Sequence, residues 1–161
     1  LAGSSAASDV YKRQVLKVFP DAKFVFLVRD PLETIPSYFS LQENVKFGNL
    51  LTSDEMKLLR KETYAEIIEW YKETEKVKSK LVKKQFITLT YPQITGDLEN
   101  SISLFYKFIG KKMTKKFQKQ VSDYAGKKYT KKHQNKTIED YGFTKKQILS
   151  DFDFVYQKYF V

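Results

Sequence analysis

Arg29 and Ser37 stand eight positions apart with Pro31 between them, a combination suited to gripping one phosphate from two sides. The guanidinium offers a planar, charge-assisted fork to anion oxygens, and the hydroxyl adds a donor from a second direction. The Arg-Asp-Pro turn also has a purely structural reading, as a local ion pair or cap. Tyr91 stands in a similar place, just after an apolar run. Cysteine is absent, which excludes disulfides, thiol catalysis and cysteine-based zinc sites.

These residues must be positioned by regular elements, and hydrophobic periodicity predicts them. Lys23 to Val28 (KFVFLV) reads as a buried parallel strand. Pro31 suits the first turn of a helix, expected to reach about Glu43 with Pro36 kinking or interrupting it. Thr52 and Glu55 form a capping box for one long helix, or two, ending near Lys84. Gln85 to Thr90 reads as a second strand closed by Tyr91-Pro92, and Asp97 opens a helix with apolar residues Leu98, Ile102, Phe105 and Ile109 that Gly110 stops. Two or three short helices and a Lys-rich loop are expected between 111 and 143. Thr144 and Gln147 then cap a closing helix bearing Ile148, Phe152, Val155, Tyr156 and Tyr159 on one face. Strand, helix, strand and helix in this order indicate an α/β architecture around a parallel sheet. Ligands in such sheets bind beyond the C-terminal strand ends, where Arg29 and Tyr91 lie.

The chain has 161 residues, 42% of them hydrophobic and 16% aromatic, enough apolar side chain for one core of ordinary size. No apolar stretch approaches the roughly 20 residues that span a bilayer. A formal charge of +10 favours anionic partners such as nucleotides, acidic glycans, nucleic acid or acidic membrane. Ten basic residues lie between Lys111 and Lys136, with Asp123 as the only acid. Lys111, Lys112, Lys115, Lys116 and Lys119 recur at helical spacing and fit either a solvated face or an anion surface. Residues 4–14 (SSAASDVYKRQ) can be back-translated into the adapter left by transposon-based library preparation. Residues 1–14 are therefore expected to be a non-native leader, with one domain over 15–161 cut from a longer gene near Val15.

The segment FPDAKFVFLVRDPLETIPSYFS resembles the strand, loop and helix by which sulfotransferases hold the 3′-phosphate of their nucleotide donor. Arg29, Pro31 and Ser37 fall in register with that motif. QFITLTYPQITGDLENSISLFYKFIG resembles a later strand, turn and helix of the family, with Ile94 in a leucine position, and Tyr129 to Phe160 resembles a tail with Tyr129, His133 and a Tyr141-Gly142 turn. In that tail the His133 to Ile138 spacing is one residue longer than usual, and Asn135 replaces a common aromatic.

The resemblance implies a P-loop-type parallel sheet flanked by helices and truncated at its N-terminus. It implies transfer of a sulfuryl group from 3′-phosphoadenosine-5′-phosphosulfate (PAPS) to a hydroxyl or amine acceptor, a glycan among the candidates, leaving adenosine 3′,5′-bisphosphate (PAP), with no metal. Arg29 and Ser37 would hold the 3′-phosphate. Tyr91 would lie near the adenine or cap the core, two readings left open here. Tyr129 and His133, the latter the only histidine, would contact the donor. The catalytic base and the Gly-rich loop for the 5′-phosphosulfate are expected upstream of Val15, so this stretch alone is expected to be inactive. Nucleic acid is not expected as a partner, and a membrane only through an upstream anchor; the compartment, cytoplasm or Golgi lumen, stays open. The alternatives are a basic nucleic-acid-binding module without catalysis, for which no aromatic stacking platform is evident, and a related P-loop kinase.

Overall fold

The computed structural model describes residues 15–47, 50–126 and 136–161. After a helical turn over residues 15–18 (α1) come β1 (Phe24–Val28), α2 (Pro31–Leu41), a π-helical segment (Gln42–Phe47) and α3 (Ser53–Lys80). A 3₁₀ turn (Lys83–Gln85), β2 (Phe86–Thr90), α4 (Tyr91–Gly96), α5 (Leu98–Ile109) and α6 (Lys115–Ala125) follow. A second 3₁₀ turn (Glu139–Tyr141), α7 (Lys145–Asp151) and α8 (Asp153–Tyr159) complete the order. The chain divides into two compact units: the described residues of Asp30–Val77 with His133–Val161, and those of Arg13–Arg29 with Lys78–Lys132.

The second unit contains the sheet. β1 and β2 pair in parallel, from Phe24 opposite Phe86 to Val28 opposite Thr90. The connection therefore crosses over, as parallel pairing requires. β1 departs from the fully buried strand expected: Val28 is 1% exposed, whereas Val25 and Leu27 are 39% and 60% exposed. The face that carries Val25 and Leu27 is thus only partly covered. Asp97 caps α5 by accepting the Asn100 N–H at 3.0 Å, and Gly110 ends it in the left-handed region at φ 72°. α6 packs on α5 through Phe117 and Tyr106, whose ring centroids are 5.5 Å apart.

The first unit is a helical core. Ile35, Phe39, Ile148 and Phe152 are fully buried. Phe39 lies against Tyr141 and Phe143, and Tyr64 against Phe143 and Phe152. Burial of such side chains contributes roughly 1.5–3 kcal/mol each, and aromatic pairing adds about 0.5–1.5 kcal/mol. α2 runs through Pro36, which is itself buried, and the backbone widens to π-helical only after Leu41. The interruption that Pro36 could have caused is thus absent from α2. α3 is one helix, with Thr52 and Glu55 capping each other as expected. The closing helix is two helices: Phe152 leaves helical geometry at φ −108°, ψ 18°, and its ring enters the core.

Gly142 ends the second 3₁₀ turn at φ 85°. A Cβ there would meet no atom within 4 Å, so Gly142→Ala tests backbone strain alone. We expect it to destabilise the chain by about 1–2 kcal/mol, read as a lower urea midpoint with unchanged slope. An unchanged midpoint would mean that the turn relaxes.

Candidate functional site

Arg29 is the first residue past β1 and Tyr91 the first past β2. Because Val28 pairs with Thr90, the next residues of the two strands emerge side by side. The Arg29 guanidinium lies 4.4 Å from the centre of the Tyr91 ring, within the range of a cation–π contact. A guanidinium over an aromatic face keeps its charge and its capacity to donate to anion oxygens. The ring is itself held by its backbone: the Thr90 hydroxyl accepts the Gln93 N–H at 3.4 Å, and the Gln93 side chain accepts the Thr90 N–H at 2.9 Å. This capping box fixes the first turn of α4, whose first residue is Tyr91.

On the other side of the Arg-Asp bond, Asp30 caps α2. Its Oδ1 accepts the Leu32 N–H at 2.8 Å, and Pro31 occupies the first turn, where no N–H is needed. The structural reading of the Arg-Asp-Pro turn thus holds for Asp30, while Arg29 makes the cation–π contact with Tyr91. Ser37 lies within α2, half-buried. The structure therefore brings Arg29 and Tyr91 together, and describes Ser37 within the other unit. Tyr129 and His133 lie outside the described residues.

One contact has no signature in the local sequence. Tyr156 on α8 donates to Asp30 Oδ1 at 2.6 Å. Burial pushes the Tyr156 phenol well above the ordinary tyrosine range, and the Asp30 carboxylate beside it acts in the same direction. Helical spacing places Tyr156 on the inward stripe, yet nothing in that pattern names a partner 126 positions away.

The lysine cluster is partly helical. Lys115, Lys116 and Lys119 are exposed on α6, and Lys111 and Lys112 precede it. The shared helical face expected of all five is corrected accordingly. Thr114 caps α6 by accepting the Phe117 N–H at 3.2 Å, and the first turn carries no acid. An open groove of about 710 Å³ runs beside it, lined by Glu99, Ser103, Lys115, Lys119 and Asp123 among others. Its mixed charges do not converge on one ligand chemistry. Among the described residues no group of His, Asp or Glu side chains is arranged to hold a metal, and no helix is long and apolar enough to cross a membrane.

A sulfotransferase family model matches residues 10–115. Two curated relatives, the omega-hydroxy-beta-dihydromenaquinone-9 sulfotransferases of Mycobacterium bovis and Mycobacterium tuberculosis, are each 26% identical over 96 residues, covering 60% of this chain and 25% of the relative. The chain thus spans a quarter of the length of these relatives. The crystal structure of a sulfotransferase from Mycobacterium avium superposes with a TM-score of 0.73 at 19% identity, over 95% of this chain and 40% of that one. At that identity the likeness concerns the fold.

Proposed function

The chain belongs to the sulfotransferase family, and from that premise we propose that it carries the 3′-phosphate half of a donor site for PAPS. The observation that carries the reading is the cation–π contact of the Arg29 guanidinium with the Tyr91 ring at the C-terminal edge of a parallel strand pair, where α/β sheets receive ligands. Arg29 supplies the charge-assisted fork to the 3′-phosphate, and Ser37 a hydroxyl to the same group. Their eight-residue spacing across Pro31 and its register with the family motif support this pairing. Tyr91 serves first as the platform for Arg29, with the adenine within its reach.

In the transfer itself, an acceptor oxygen attacks the donor sulfur in line as the bond from sulfur to the 5′-phosphate oxygen breaks, and PAP leaves. The acceptor's proton passes to a base. Holding the 3′-phosphate contributes by fixing the donor so that sulfur and acceptor meet in reactive geometry. The base and the loop around the 5′-phosphosulfate belong, in this reading, to parts of the domain outside the segment assigned here. The mycobacterial relatives are named for a hydroxylated menaquinone, which favours a hydroxyl acceptor on an apolar molecule over an amine. A glycan acceptor is supported by the positive charge alone.

Titration of the 161-residue chain with PAP and with adenosine 5′-monophosphate, followed by NMR shifts, tests the proposal. Preference for the bisphosphate is expected, even if both bind weakly. Equal affinities would sink the 3′-phosphate assignment.

A further inference from the structure

Asp30 is held by more bonds than a helix cap needs. Its Oδ1 accepts the Leu32 N–H at 2.8 Å and the Tyr156 hydroxyl at 2.6 Å. Its carbonyl accepts the N–H groups of Glu33 and Thr34 at 3.0 and 2.9 Å and the Thr34 hydroxyl at 3.0 Å. Tyr156 is anchored in turn, because the preceding Val155 is 1% exposed and the Tyr156 ring lies 5.8 Å from that of Phe160. The cap alone would be complete with Leu32. The phenol adds a second donor and commits the carboxylate to the helix end.

That commitment matters because Asp30 directly follows Arg29 in the chain. A carboxylate next to an arginine is a rival for any phosphate that the arginine binds, since both offer anionic oxygens to one guanidinium. We infer that Tyr156 is a positioning residue for the phosphate grip: by holding the Asp30 carboxylate on α2, it keeps that carboxylate from competing for Arg29. It also fixes the first turn of the helix that carries Ser37. The inference rests on the donor reading above.

The test compares PAP with adenosine 5′-monophosphate on the full chain, in wild type and in Tyr156→Phe, which loses only the hydroxyl. The expected result is a preference for the bisphosphate reduced about 5-fold or more, with monophosphate affinity and circular dichroism unchanged. A bond that merely stabilises the fold would instead lower the unfolding midpoint and leave the preference alone. In an Asp30→Asn background, where no rival carboxylate remains and the amide oxygen still caps α2, Tyr156→Phe should change the preference by no more than about twofold. An additive loss there would overturn the inference.

If Tyr156→Phe loses its helical signal, Asp30→Asn alone decides: a preference kept or raised supports the rival-anion role, and a preference lost refutes it. A wild-type chain without any preference would remove the donor reading and this inference with it. A wild-type preference that Tyr156→Phe leaves intact would remove only the inference.

Discussion

Arg29→Ala is expected to weaken PAP by about 10- to 150-fold while leaving adenosine 5′-monophosphate almost unaffected. The range follows from losing a hydrogen bond to a charged group, about 1.5–3 kcal/mol, at about 1.4 kcal/mol per decade. The split between ligands carries the argument. Arg29 is half-buried beside Tyr91, so its removal also takes away a cation–π contact and some positive charge, and either change could weaken any nucleotide. Only loss of a 3′-phosphate contact weakens one ligand and spares the other. Calorimetric titration of both ligands against wild type and Arg29→Ala decides it, and parallel weakening would require the assignment to be withdrawn. Tyr91→Phe keeps the ring and should keep the preference, whereas Tyr91→Leu removes the platform and should lose part of it.

How far this site can be read from the sequence follows from the range of the forces that build it. Arg29 and Tyr91 are placed by strand ends, and those ends are marked by Pro31 and by Tyr91-Pro92, all within a few residues. Caps at Thr52, Asp97 and Thr144 are legible for the same reason, since each is a side chain meeting its own neighbouring backbone. The contact of Arg29 with Tyr91 needs one further fact, the strand register, which periodicity does not supply because shifting one strand by two residues preserves the same inward pattern.

Contacts across long separations are less legible still. Tyr156 with Asp30 and Tyr64 with Asp151, the latter at 2.7 Å, each join groups whose local sequence predicts only an inward-facing aromatic. The break at Phe152 was hidden for a related reason: the stripe Ile148, Phe152, Val155 reads as continuous helix, and only packing shows that Phe152 leaves the helical path. Along β1, β-branched and aromatic composition predicts burial on both faces. Which face is covered depends on neighbours that composition does not name, and Leu27 is left 60% exposed.

Phe152 is where the largest loss of stability is expected. Its side chain is 0% exposed, and it lies edge-on to Tyr71 at 5.4 Å and to Tyr64 at 6.1 Å, and stacked with Phe154 at 6.3 Å. Phe152→Ala deletes the ring on which α3 and the α7–α8 corner meet, and should cost about 3–5 kcal/mol. Against the 5–15 kcal/mol that hold a typical domain together, that is enough to unfold much of the population. The corner adds to the effect, because the backbone departs from helix at Phe152 and alanine, a strong helix former, has no ring to justify the departure. Leu27→Ala is the matched control. It removes an apolar side chain that is mostly in water, and surface changes of that kind usually stay within about 0.5 kcal/mol. Urea unfolding of both variants gives the comparison, and similar midpoints for the two would mean that the core does not centre on Phe152.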